Sequence, residues 1–518
     1  MLIIKKSEVQ KSLELKSKLN NESYGSYLHQ FIQVTLNMAP NEIVGFKNID
    51  QKNINNPELI NKILQQASFI HEYKHFVDCF STTAGITLFG GIINEIKYFL
   101  KACSYLKAKK IKWQLPVKDW VKKNTCPLII KNLVKSHNEK RLFRPIYNGG
   151  TEFLNEEGIS DKVWRNAKTP QLGNFYFPLY PLKIENRKYI KGKLDSTLFR
   201  TSWQSIGFET LIEGNAQAFQ RSIIGNQFSG EIENQIWKKF TQNITKGANF
   251  NKDIAQLPSH YNLTDFLITK FLNTRHNETK FDRRLLTKIT DIALMETIFP
   301  LNPNRDWNGH PGARFVEILQ TVRKENGKFK TRNCLVDNAS IKTQIENLKK
   351  TRKKPEIYIE EFKRLNKQDP VTIIESFVQH EIVIPLLQLR LDRGNEIFSD
   401  VLLFIKHFKD FPEPLLTVYK NSIKFSSKAN QPIQNAWIEF VFISSIFEQI
   451  MNNSKIICCP RFYRITSGIE RFSCIADRKY NCEQFIQDRK CGTYTPFDNE
   501  SKSVNCLFYL LMKDLQLN

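Results

Sequence analysis

No apolar run in these 518 residues approaches the ~18 that a membrane-crossing helix requires. The opening stretch, MLIIKKSEVQKSLELKSKLN, lacks the apolar segment of a secretory signal peptide. These two absences lead to the expectation of a soluble, intracellular protein, cytoplasmic and without a membrane partner. Carboxylates are scarce: 52 Asp and Glu stand against 76 Lys and Arg, a formal net charge of +24. A surface of that sign attracts polyanions. No nucleic-acid-binding motif accompanies it, so solvated lysines are the favoured reading and a nucleic-acid partner the second. No two cysteines have CxxC spacing. Six of the ten nevertheless fall in the last segment, at Cys458, Cys459, Cys474, Cys482, Cys491 and Cys506. Inside a cell they read first as buried thiols. The second reading is a structural zinc held by Cys458 or Cys459 with Cys474, Cys482 and Cys491. The helix-period stretches Ile373 to Leu391 and Ala436 to Ile450 do not sustain a heptad, which excludes a coiled coil.

What the chain does contain is one concentrated constellation. Residues 63–75 read ILQQASFIHEYKH and end in His71-Glu72-Tyr73-Lys74-His75, an HExxH match. On a helix, histidines at i and i+4 project from one face and can share a metal ion, with the intervening glutamate beside it. The helical setting is present. Asn56 and Pro57 read as N-cap and first helical position, and Ile60, Leu64, Ala67, His71 and His75 run down one face. The histidines continue an apolar stripe, so they are expected in a cleft or core.

A third ligand is expected from Ile206-Gly207-Phe208-Glu209-Thr210-Leu211-Ile212-Glu213-Gly214-Asn215-Ala216. Glu209 and Glu213 are four apart and share a helical face. Ile206, Leu211, Ala218 and Phe219 imply that part of this helix is buried, where a carboxylate is costly unless it is paired or binds a metal.

HExxH followed by a helix carrying Glu-Gly-x-Ala resembles the gluzincin class of zinc metallopeptidases. The resemblance covers these two short helices. It implies that His71, His75 and Glu213 bind zinc and that Glu72 is the catalytic base. Glu213 is taken as the ligand because Gly-x-Ala follows it; Glu209 is the alternative, and otherwise a candidate partner that orients a histidine. Asp78 is a further candidate for that supporting role. The metzincin pattern is absent, since Asp78 and Ser81 stand where its Gly and third His would be. His380-Glu381 lacks a second histidine at the required spacing. An oxyanion stabiliser is sought in Trp307-Asn308-Gly309-His310-Pro311-Gly312-Ala313-Arg314, where a turn presents His310 or Arg314 toward the cleft. Tyr176, Tyr180 and Tyr261 are alternatives.

The expected fold is mainly α (α+β). A zincin-like metallopeptidase domain spans 1–325, with a proline-punctuated loop and β insertion at about 111–202 that includes a hairpin turning at Asn186-Arg187. The segment from Cys79 to Leu106 is predicted helical, broken near Gly90-Gly91. A basic linker region at 326–356, containing Lys349-Lys350-Thr351-Arg352-Lys353-Lys354, leads to a helical domain at 357–452 and a cysteine-containing segment at 453–518. The function expected is zinc-dependent cleavage of a protein or peptide substrate. The rival is a regulatory or nucleic-acid-binding protein whose zinc site is structural or vestigial.

Overall fold

The computed structural model describes residues 25–29, 32–36, 57–150, 179–181, 189–190, 193–194, 203–227, 279–295, 311–324, 338–364, 369–419, 422–452, 511 and 514–517, with single positions 233, 264, 268, 454 and 457. Among them the chain is mostly helical, with a small four-stranded mixed sheet and two smaller antiparallel ones.

Strands β1 (Gly25–Leu28) and β2 (Gln33–Leu36) form an antiparallel pair, with Gly25 opposite Leu36 and Leu28 opposite Gln33. Helix α1 follows at Pro57–Ser81, its proline at the first position, where the missing N–H costs no hydrogen bond. From Ile63 onward every α1 residue is buried or half-buried. The one-sided stripe read from the sequence is therefore part of a helix enclosed on all sides.

Helix α2 (Thr83–Ala108) leaves α1 at a bend of 80°. The break falls at Thr82, not at Gly90-Gly91. The Thr82 hydroxyl donates to the Asp78 carbonyl at 2.6 Å and accepts from the Gly85 N–H at 3.3 Å. Any β-carbon at position 85 would lie 2.2 Å from the Cys79 carbonyl oxygen, so the corner requires glycine. Gly90 and Gly91 have open space around them and stay helical; glycine weakens a helix without obliging it to end.

The segment expected to hold loops, short helices and a hairpin has a short helical turn at Val117–Trp120 and then a helix of 21 residues, α3 (Leu128–Asn148). After it, β3 (Gly149–Gly150) and β4 (Leu179–Pro181) pair antiparallel with β7 (Trp203–Ile206). The expected hairpin is present as β5 (Tyr189–Ile190) against β6 (Lys193–Leu194). It lies beyond Asn186-Arg187, positions that are outside the described residues. β7 runs directly into α4 (Phe208–Gln227), the helix that carries Glu213. Helices α5 (Thr279–Met295) and α6 (Pro311–Lys324) follow and pack on each other.

The stretch expected as a basic linker contains α7 (Asn338–Thr351), with Ile341 and Ile345 buried. Lys349 and Lys350 occupy its last turn, where cations suit the helix dipole. Arg352 pairs with Glu375 at 3.0 Å and Lys353 with Glu361 at 2.5 Å. After α8 (Pro355–Arg364) comes α9 (Pro370–Arg393), which widens to a π turn over Val378–Val383 just before Pro385. The wide turn accommodates a proline that cannot donate to the preceding turn and whose ring crowds it. By length and composition α9 would suffice to cross a membrane, but 72% of its apolar window is buried in this fold.

The region expected as a separate helical domain joins the same core. β8 (Leu416–Val418) pairs parallel with β2, and β9 (Ile423–Phe425) antiparallel with β8, giving the sheet order β1-β2-β8-β9. Helix α10 (Gln431–Met451) packs on α9. The Tyr73 hydroxyl donates to the Pro412 carbonyl at 2.7 Å. Arg390, on α9, is fully buried beneath the end of α1. Its Nη1 and Nη2 donate to the Asp291 carboxylate at 2.9 and 2.6 Å, its Nε donates to the Ser81 carbonyl at 3.0 Å, and its guanidinium lies 3.8 Å over the Phe398 ring. Removing one partner of a buried, hydrogen-bonded ion pair strands the other charge. Arg390→Ala is therefore expected to cost about 3–5 kcal/mol, measured as a shift in the urea unfolding curve.

Candidate metal centre

Helix α1 presents His71 and His75 one turn apart, edge to face, with their Nε2 atoms 3.0 Å from each other. Helix α1 packs along α4, and this places Glu213 against both rings. Glu213 Oε2 lies 3.4 Å from His71 Nε2 and 3.3 Å from His75 Nε2. The three donor atoms thus form a nearly equilateral triangle. A tetrahedral zinc with bonds of about 2.0–2.1 Å holds its ligand atoms about 3.3 Å apart, so the triangle has the size of one face of such a site. Among the described residues, no other group of His, Cys, Asp and Glu converges in this way.

The chemistry of the donors agrees with their spacing. Glu213 Oε2 is buried, and its described polar neighbours are the two imidazole Nε2 atoms. A buried carboxylate oxygen left like this is costly unless a cation meets it. Burial pushes the Glu213 carboxyl up, but His75 and then His71 outweigh that and hold it well below the usual carboxylate range. It is therefore an anion, as a ligand must be. The His75 and His71 side chains are almost enclosed, at 4% and 10% exposed, whereas Glu213 is 22% exposed. The site opens on the Glu213 side.

Glu72 is buried beside this triangle, and burial pushes its carboxyl up to about 7, against the pull of His71 and with the push of Glu213. Gly214 also has a structural reason. A β-carbon there would stand 1.9 Å from Thr264 Oγ1, so the residue after Glu213 must lack a side chain for Thr264 to pack on α4. Glu209, one turn earlier, is exposed and outside the triangle.

Other residues named from the sequence are placed differently. The Asp78 carboxylate does not bond either histidine. It pairs with Lys74 and accepts from Asn215 Nδ2 at 2.8 Å. Arg314 does not face a cleft: it is buried and its Nε donates to the Ala293 carbonyl at 2.7 Å, tying α6 to α5. His380 Nε2 lies 3.0 Å from the Arg352 carbonyl, a structural contact of the π turn. His310, Tyr176, Tyr261 and the six C-terminal cysteines lie outside the described residues, and Tyr180 is described only as part of the β4 backbone.

Two neighbours of the site carried no motif. Tyr27, on β1, stacks on His75 with ring planes 19° apart and centroids 6.3 Å apart. Asn215, on α4, reaches α1 through Asp78. It is a polar residue one turn after Leu211 and one before Phe219 on a buried face, and that mismatch was its signal.

No protein-family model, curated protein or solved structure matches this chain. Its function rests on the site itself.

Proposed function

We propose that this chain is a zinc-dependent hydrolase of gluzincin type that cleaves peptide bonds. The observation that carries the proposal is the triangle of His71 Nε2, His75 Nε2 and Glu213 Oε2 with the carboxyl of Glu72 buried next to it. Two imidazoles and a carboxylate also suit iron(II). A general base beside the triangle is what hydrolysis needs, and this favours zinc.

Zinc held by His71, His75 and Glu213 would act as a Lewis acid toward a carbonyl and lower the pKa of water at the site. Glu72 supplies the proton transfers. Its carboxylate takes a proton from the water that attacks the scissile carbonyl carbon, and returns it to the amine nitrogen as the C–N bond breaks. A carboxyl held beside the metal can take the proton and hand it on without leaving its place.

The surroundings favour a peptide over a small ester or amide. β1 ends the sheet order, so its outer edge has no strand partner among the described residues, and it packs on α1 with Tyr27 against His75. An extended peptide can add to such an edge through main-chain hydrogen bonds, which brings its carbonyls alongside the histidines.

The test is incubation with an unfolded protein and with a mixed-sequence peptide pool, followed by mass spectrometry of the products. New peptide termini are expected that vanish with a zinc chelator and return with added zinc. Products that form equally with chelator, or none from either substrate by zinc-loaded protein, would count against the proposal.

A further inference from the structure

We infer that Asn215 and Asp78 form a positioning couple that sets Glu213 at ligand distance from the histidines; this rests on the metal reading above. Asp78 lies on α1, one turn beyond His75, and Asn215 lies on α4, two residues after Glu213. Their side chains are entirely buried, and Asn215 Nδ2 donates to Asp78 Oδ2 at 2.8 Å. The other Asp78 oxygen pairs with Lys74, which is also fully buried, and the Lys74 ammonium sits 4.8 Å over the Phe219 ring of α4. The carboxylate is therefore fixed from both sides and cannot turn away from Asn215.

A second link joins the same two helices before the ligands. Gln220 Nε2 donates to Ser68 Oγ at 3.2 Å. On α1 the two links bracket His71 and His75. Glu213 comes from the other helix, so its distance to the histidines is the distance between α1 and α4 at this level. That distance is held by hydrogen bonds, which have a preferred length, and not by apolar contact alone, which tolerates sliding.

Asn215 is a poor choice for stability alone. Its Oδ1 is buried and has no hydrogen-bond partner among the described residues, and an unsatisfied buried acceptor costs free energy that an apolar residue of the same size would avoid. The residue makes one useful bond, and that bond lies beside the ligand.

Partners that orient ligands contribute about 10–100-fold to metal affinity. The experiment measures the zinc dissociation constant of the whole chain by chelator competition, together with urea unfolding of the metal-free protein. Three proteins are compared: wild type, Asn215→Leu, which keeps the Lys74–Asp78 pair, and Ile223→Ala. Ile223 is buried on α4 farther from the site and controls for general loosening of the helix. The expected result is zinc binding weakened about 10–100-fold in Asn215→Leu and changed less than threefold in Ile223→Ala, even though Ile223→Ala unfolds at lower urea. Unchanged affinity in Asn215→Leu overturns the positioning role and leaves the metal site standing. Equal weakening in both variants also overturns it, since any loosening of α4 would then suffice. Failure of the wild-type protein to bind zinc removes the metal reading, and this couple with it.

Discussion

Glu72→Gln is expected to lower peptidase turnover by about 10²–10⁴-fold, the usual contribution of a positioned general base, while zinc stays bound at wild-type affinity. The amide keeps the size of the carboxyl but cannot accept a proton. A stability measurement separates this role from a structural one. In the metal-free protein the folded-state pKa of Glu72 is raised to about 7 by burial, above its unfolded value of about 4.3. The unfolded chain gives up this proton first as pH rises, so ionisation favours unfolding through that window. The cost is nearly absent at pH 4, grows between about pH 4.5 and 7, and levels off above about pH 8, where it reaches roughly 3–4 kcal/mol at most. Metal-free Glu72→Gln is therefore expected to unfold at higher urea than wild type at pH 8 and at similar urea at pH 4. A residue that costs stability at the pH where it is ionised is retained for another reason. Loss of turnover without this gain in stability would point to a damaged fold instead of a missing base.

The second large effect separates Glu213 from Glu209. Glu213 supplies one corner of the donor triangle and Glu209 is exposed one turn away. Glu213→Ala is expected to weaken zinc binding by more than the about 10–100-fold that supporting residues contribute; Glu209→Ala is expected to leave it unchanged. Chelator competition reads both. Removal of Glu213 leaves two imidazoles that can stay neutral, with no stranded charge, so the metal-free variant is expected to fold. The opposite pattern, with Glu209 essential and Glu213 dispensable, would shift α4 by one turn against α1 and contradict the packing described.

The residues that converge on the candidate metal centre were legible because each side of it is local. His71, Glu72 and His75 fall within one and a half helical turns, and Glu213 stands in a helix whose apolar pattern and Gly-x-Ala sequence announce it. The mainly α character was legible for the same reason, since long helix-period stretches dominate. What joins the chain into one body was not. The pairing of β2 with β8 brings together two strands of four and three residues from distant parts of the sequence, too short for alternation to show. That pairing, with Arg390 set into Asp291 and Ser81, is why 357–452 shares a core with the helix of His71 and His75. The corner at Thr82 was masked by a more conspicuous Gly90-Gly91, since glycine pairs resemble helix ends while the hydroxyl cap and the close approach at Gly85 depend on three dimensions. Asp78 was found by its spacing from His71, but its partner could be known only once α4 was laid beside α1.

Elemental analysis of the protein, purified without chelator, is the most direct test of the centre. The expected result is one zinc per chain in the wild type, lost in His75→Ala and in Glu213→Ala. A chain that carries no metal, that carries iron in place of zinc, or that keeps its zinc through both substitutions would contradict it.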